Sequence, residues 1–217
     1  MKTRRREAGR EHGFQDQMPE GGWSPLRQRF EEQIGLLVSA LRSTQEGVQE
    51  LAIVQITLLG PKVVPYLTSA LEEALDESDL SRSGHQSISS AERRIAGICS
   101  SLGIIGASDS VVDLAAALPR KEAVEALAKI GGERALDLIM ETIESEPGLG
   151  GPLRNYSGHS WSSGSADADP AFVRHVFLRF GEAGRARLQE ELANGSAPRR
   201  AAVAEIIRIM GDSDGLA

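Results

Sequence analysis

The sequence offers few residues that could do chemistry, and their spacing forms no catalytic or metal-binding motif. The four histidines are His12, His85, His159 and His175. No Cys-x-x-Cys, His-Glu-x-x-His, Gly-x-Ser-x-Gly or glycine-rich phosphate loop occurs in the chain. His175 falls within an apolar helical pattern, where a solvent-facing or capping histidine is favoured over a general base. We therefore predict no catalytic residue, no cofactor and no metal ligand.

Cys99 is the single cysteine and the obvious candidate for a nucleophile. It follows Ile95 by four residues and precedes Leu102 by three, so it lies on the apolar stripe of a helix. A thiol in that setting is an inert core residue. One cysteine cannot form an intrachain disulfide, which is consistent with a reducing compartment, and we predict a cytoplasmic protein.

Residue types that suit binding are concentrated in one segment, residues 145–169, which is rich in Gly and Ser. It carries Arg154, Tyr156, His159 and Trp161. Tyr, Trp and Arg are enriched in binding hot spots because they combine a large contact area with hydrogen bonding. We predict that these four residues contact a partner. Two alternatives are that Trp161 folds back to pin the loop, or that the segment contacts a small ligand.

The charge of the chain argues against nucleic acid as a general partner. The 217 residues have a net charge of −7, whereas a phosphate-binding surface needs clustered Lys and Arg. Residues 1–12 have a net charge of +3, and we predict that residues 1–22 are a disordered basic tail, with an acidic-lipid or nucleic-acid contact as the alternative. No apolar run reaches the roughly 18 residues of a membrane span, so none is predicted.

Helical periodicity organises the rest of the sequence around five glycines. Each ends an apolar, helix-period stretch, and they are Gly60, Gly106, Gly131, Gly181 and Gly211. Leucines recur seven or eight residues after four of them, at Leu67, Leu114, Leu138 and Leu188. The unit is therefore helix, tight turn, helix, and the short turn makes the two helices antiparallel neighbours. Such a hairpin exposes an apolar face that the next hairpin covers.

Three stretches resemble the HEAT-like repeats of the phycobilisome-lyase type. They are Ala126 to Leu136, the Leu-Gly-x-x-Gly run from Leu102 to Gly106, and the Arg-Arg-Ala-Ala start at Arg199. The resemblance covers roughly residues 46–211 and implies an all-α, right-handed solenoid of about five hairpins, which we place at residues 23–217. Two inserts, at about 74–90 and 145–169, are expected on its rims. A helix that starts at Ser24-Pro25 is expected to cap the first hairpin.

The resemblance implies a fold more than an activity. We predict a non-catalytic protein–protein interaction scaffold. The alternative is a bilin lyase-like or chaperone factor, and a HEAT-like DNA glycosylase is less favoured because the chain lacks a cationic stripe. The di-iron hydroxylase of this fold uses His-Glu dipeptides, and no histidine here is followed by Glu.

In such arrays the second helices usually line the concave surface, so their polar residues are the expected docking positions. These are Asp113, Asp137, Glu141, Arg185 and Gln189. They are mostly acidic, which favours a protein partner with a basic or mixed surface. A separate group of carboxylates is formed by Glu72, Glu73, Asp76, Glu77 and Asp79. Calcium or a basic partner are the alternatives, but the spacing does not match an EF-hand loop and we interpret the group as a solvated helix end.

Overall fold

The computed structural model describes residues 24–81, 90–144 and 170–211, and every regular element in these ranges is helical. The α-helices are α1 (Ser24–Ala40), α2 (Glu46–Leu59), α3 (Val64–Ser81), α4 (Ser90–Ile105), α5 (Val111–Ala116), α6 (Lys121–Ile130), α7 (Glu133–Glu144), α8 (Pro170–Asn194) and α9 (Ala197–Gly211). Short 3₁₀ segments precede α3 and α5, at Gly60–Val63 and Ser108–Ser110. The all-α prediction is confirmed.

Glycines with a left-handed backbone separate the helices of each pair. The backbone φ is 69° at Gly60, 70° at Gly106, 74° at Gly131 and 53° at Gly181. Only glycine adopts these values without steric cost, so each residue ends its helix and reverses the chain. Gly181 lies inside α8 and divides it into two helical halves. Gly211, predicted as a fifth turn, is the last helical residue of α9.

The helices stack in two rows. In the first row α2 packs against α4, α4 against α6, and α6 against α8. In the second row α3 packs against α5, α5 against α7, and α7 against α8. Helices α1 and α9 pack at the two ends, on α2 and on α8 respectively. We refer below to α2, α4, α6 and the first half of α8 as first helices, and to α3, α5, α7 and the second half of α8 as second helices.

The core is built from the positions that the periodicity predicted. The residue four positions before the turn glycine is fully buried in all four pairs, at Ile56, Leu102, Leu127 and Phe177. The second-helix leucines Leu67, Leu114, Leu138 and Leu188 are buried as well. Burying one such side chain stabilises the fold by about 1.5–3 kcal/mol. In α9 the periodicity predicts a stripe of Val203, Ile206, Ile207 and Met210. Val203 and Ile206 are buried, Ile207 and Met210 are partly buried against the core, and Ile209 is buried as well.

The predicted boundaries agree at α1 and differ at the first insert. Helix α1 begins at Ser24, as the Ser-Pro start indicated. Helix α3 continues to Ser81 and buries Ala74 and Ser78, so residues 74–81 are packed helix and not part of an insert. The predicted tail (1–22), the remainder of the first insert (82–89) and the second insert (145–169) lie outside the described residues.

In the part of the chain that the structure describes, one stretch has the length and composition of a membrane span, where the sequence predicted none. It is Gly47–Asp79, and its mean hydropathy reaches 1.4 over 18 residues, 22% of which are buried. Gly60 interrupts this stretch with its positive φ. Residues on both sides of the break, including Ile56 and Leu67, enter the core. Core helices of water-soluble proteins can have the same length and composition.

Candidate partner-binding surface

The second helices present their polar side chains along one row. Each is amphipathic, so the leucines of the hairpin motif point into the core and charged residues on the other faces of the helix point outward. In α3, for example, Leu71 is buried and the adjacent Glu72 is exposed. Since α3, α5 and α7 are successive neighbours, their outward faces form a continuous surface.

A groove of about 640 Å³ lies between α3 and α5 on this surface. Three carboxylates line it, Glu72 and Asp76 from α3 and Asp113 from α5. Its apolar lining includes Leu75 and Val112, and Val112 is 68% exposed. The groove is therefore acidic with an apolar strip, which suits a basic peptide segment or helix that carries apolar side chains.

These three carboxylates are available to a partner. Within the described ranges no cationic side chain lies at ion-pair distance from Glu72, Asp76 or Asp113. All three side chains are exposed. A partner cation would therefore not have to displace an internal one. The sequence had placed Glu72 and Asp76 at a solvated helix end; their four-residue spacing on α3 was the available signal for a shared outward face.

The sequence-predicted residues on α7 and α8 also face outward, but the charged ones already have internal ion-pair partners. Asp137 lies 3.6 Å from the Nε of Arg187, and Glu141 lies 4.0 Å from Arg134. Arg185 pairs with Glu182 at 3.4 Å, and Gln189 is exposed. The structure thus brings Asp137 next to α8 and leaves Asp113 as the predicted acidic residue that faces the groove.

Arg187 is the cation that ties the surfaces of α7 and α8 together. It donates a hydrogen bond of 2.6 Å to Glu190, also pairs with Glu191 at 3.1 Å, and faces Asp137. The bond to Glu190 is the main cause that raises the pKa of this guanidinium, with the nearby charges adding to it. Arg187 stays charged, so the negative charge of the three carboxylates at this end of the surface is partly compensated. The sequence prediction did not include it.

A second groove, of about 780 Å³, lies on the other side of α3, where α1 and α4 also line it. Four cations border it, Arg27, Arg42, Lys62 and Arg94, together with Glu31 and Glu73. Most of these charges are paired, because Arg27 contacts Glu31, Arg94 contacts Glu73 and Arg42 reaches Glu77, each at 2.9–3.0 Å. This groove is therefore closer to neutral than the groove between α3 and α5.

The remaining predicted residues fall into two groups. Arg154, Tyr156, His159 and Trp161 lie outside the described residues. Cys99 is fully buried, as predicted, and burial raises the pKa of its thiol to about 12. His175 is exposed on α8. Among residues 24–81, 90–144 and 170–211, no group of three or more His, Cys, Asp or Glu side chains is arranged to hold a metal ion.

Comparison with known protein families identifies one repeat. Residues 119–145 match the family described as PBS lyase HEAT-like repeat. The match covers α6, the turn at Gly131 and α7, which is the hairpin that contains the strongest part of the predicted resemblance. The resemblance to HEAT-like repeats is confirmed at this hairpin. No curated protein matches the chain.

Proposed function

We propose that this protein is a non-catalytic scaffold that holds a protein partner along its second helices. The observation that carries the proposal is the groove between α3 and α5, where Glu72, Asp76 and Asp113 face outward beside exposed apolar side chains. The partner that this chemistry fits has a basic or mixed surface with apolar side chains. The second insert, with Arg154, Tyr156, His159 and Trp161, would supply further contacts, and a cytoplasmic location is part of the same proposal.

The fold supports this function through its geometry. We infer a right-handed solenoid of four hairpins and a final single helix, α9, in line with the prediction of about five hairpins. Hairpins stacked in register bring successive second helices side by side, and solenoids use such extended surfaces to bind partners. The match to the PBS lyase HEAT-like repeat supports the fold underlying the proposal.

Charge reversal in the groove tests the proposal. A double variant, Glu72→Lys with Asp113→Lys, is compared with the wild type by affinity purification from cells of the native host, followed by mass spectrometry. We expect the specific partners to be lost, because two attractive contacts become repulsive. The matched control, Glu32→Lys with Glu122→Lys, changes the net charge equally on α1 and α6 and should keep them. Unchanged partner recovery by the groove variant would refute the proposal.

The insert is tested separately. Replacing residues 150–165 by a Gly-Ser linker removes Arg154, Tyr156, His159 and Trp161 while keeping the chain length. A partner that survives the groove variant but not this replacement would bind through the insert alone. A partner that is lost with either change would contact both surfaces.

A second candidate function, a bilin lyase-like or chaperone factor, is favoured by the name of the matching family. Its test is an absorbance scan of the purified protein, alone and after addition of free bilin. A bound pigment would give a visible band that moves relative to free bilin, and a colourless protein that leaves the bilin spectrum unchanged would exclude this candidate.

A further inference from the structure

Helix α2 has an apolar stripe that faces solvent. Val48 is 39% exposed, Leu51 57%, Val54 52% and Leu58 80%. Their spacing of three, three and four residues places them on one side of the helix. The opposite side is packed, since Ala52 and Ile56 are buried in the core. Helix α2 is thus apolar on both sides, and only one side has a partner within the described residues.

Comparison of α2 with the later first helices shows which position of α2 is left uncovered. The position five residues before the turn glycine is buried in the later first helices, with Ser101, Ala126 and Val176 at most 1% exposed. The residue at this position in α2 is Gln55, and it is exposed. The first helices therefore differ at a position that the architecture normally covers.

A contact between α4 and α6 identifies what covers that position. A Cβ added at Gly103 of α4 would lie 2.8 Å from the Cα of Ala126 in α6. Ala126 therefore faces the first helix that precedes its own. Among the described residues no first helix precedes α2, and α1, which packs against α2, α3 and α4, leaves the stripe exposed. The first row of helices is open at α2.

We propose that two copies of this chain associate through this stripe, with α2 of each copy packed antiparallel against the other around a two-fold axis near Val54. Within the stripe, Leu51, Val54 and Leu58 follow a three-four spacing, which is the spacing found in the seam of paired helices. Glu50 is exposed near the start of α2 and Lys62 is exposed just beyond its end. Antiparallel packing brings these unlike charges to the same end of the interface, whereas parallel packing would bring like charges together.

The alternatives fit the stripe less well. The N-terminal residues 1–23 contain few large apolar side chains, chiefly Phe14, Met18 and Trp23, to cover four exposed ones. A lipid surface calls for cations along the polar flank of the helix. The flanking residues exposed on α2 are Glu50 and Gln55. A second copy needs neither further apolar residues from the N-terminal segment nor cations beside the stripe. Its own stripe is complementary, as in two-fold interfaces.

The size of the stripe sets the expected affinity. A patch of four exposed side chains is of the order of a few hundred Å². This is less than the roughly 800 Å² per partner of a standard interface. We therefore expect a reversible dimer with a dissociation constant of about 1–100 μM. The contact does not involve the groove between α3 and α5, so it stands or fails independently of the proposed function.

Sedimentation equilibrium of the full chain tests the proposal. The chain concentration runs from about 1 to 500 μM, because this range brackets the dissociation constant expected for an interface of this size. The wild type should pass from monomer to dimer, and Leu51→Glu should weaken dimerisation at least tenfold. Leu178→Glu is the matched control, because Leu178 is 54% exposed on α8 and Leu51 is 57% exposed. Leu58→Glu should reproduce the effect, and circular dichroism shows that each variant is folded.

A cross-link tests the two-fold arrangement. Val54→Cys should give a covalent dimer on oxidation, while Leu178→Cys should not, and the buried Cys99 does not compete. A wild-type chain that stays monomeric throughout overturns the proposal, as does growth beyond the dimer. Dimerisation that begins only when residues 1–22 are deleted would identify that segment as the occupant and overturns it too. Binding of the wild type, but not of Leu51→Glu, to phosphatidylcholine–phosphatidylserine vesicles would assign the stripe to a membrane instead.

Discussion

Arg120 and Glu92 form a bidentate ion pair that connects three successive hairpins. The Nε and Nη2 atoms of Arg120, which precedes α6, each lie 3.1 Å from one carboxylate oxygen of Glu92, in the first turn of α4. Ser78 of α3 donates a hydrogen bond to the same carboxylate and accepts one of 3.2 Å from Arg120. Ser78 is buried, and Arg120 is 15% exposed. One carboxylate thus fixes the relative positions of α3, α4 and α6.

Removing the Arg120 side chain should destabilise the fold through this network. Arg120→Ala leaves Glu92 and the buried Ser78 hydroxyl without their cationic partner, and we expect a loss of about 1–3 kcal/mol in the free energy of unfolding. Urea denaturation followed by circular dichroism measures it. The control is Arg27→Ala, which removes a pair whose side chains are 78% and 41% exposed and should leave the free energy of unfolding nearly unchanged. Equal losses would show that the network has no special role.

Two helical glycines should respond oppositely to alanine. In α4, a Cβ at Gly103 would meet the backbone of Ala126 at 2.8 Å, so Gly103→Ala should push α4 and α6 apart and cost about 1–3 kcal/mol. In α1, a Cβ at Gly35 would meet no atom within 4 Å. Gly35→Ala should therefore stabilise the protein by up to about 1 kcal/mol through helix propensity. Thermal unfolding compares both variants with the wild type, and the same sign for both would contradict this packing.

The sequence predicted the parts of the fold that depend on local periodicity. The turn glycines and the buried leucines recur at fixed spacings, because each hairpin must reverse the chain and bury one stripe. The packed end of α3 escaped prediction, since the acidic run from Glu72 to Asp79 hides the buried Ala74 and Ser78. The burial of Ile209 in α9 was also not predicted, because Ile206, Ile207, Ile209 and Met210 offer two overlapping apolar stripes.

The candidate surface was predictable only in part. The outward orientation of Asp113, Asp137 and Gln189 follows from the helical period, so their positions were accessible. Which of them stay uncompensated depends on cations brought in by other helices. Arg187, for example, lies 50 residues after Asp137 in the chain and beside it in space. The pairing of Arg120 with Glu92, 28 residues apart, was hidden for the same reason.

The Cys99 thiol should be unreactive in the folded protein and should make stability fall at high pH. Burial raises its pKa from 9.0 to about 12. Below pH 9 both folded and unfolded chains keep the proton, so the full stability is present. Between about pH 9 and 12 only the unfolded chain ionises, and the free energy of unfolding should fall by up to about 1.4 kcal/mol per pH unit. Denaturation from pH 8 to 11 measures this slope, with Cys99→Ala as the variant that should lack its thiol contribution.

The structure distinguishes Gly131 from Gly211, which the sequence treated alike as turn glycines. Gly131 has a φ of 74°, and a side chain there is strained by about 1–2 kcal/mol, so Gly131→Ala should lower the free energy of unfolding by that amount. Gly211 lies in α9 without a positive φ, so Gly211→Ala should be neutral or slightly stabilising. Urea denaturation of both variants measures the difference. A loss at Gly211 as large as at Gly131 would show that the chain also turns at Gly211, as the spacing alone predicts.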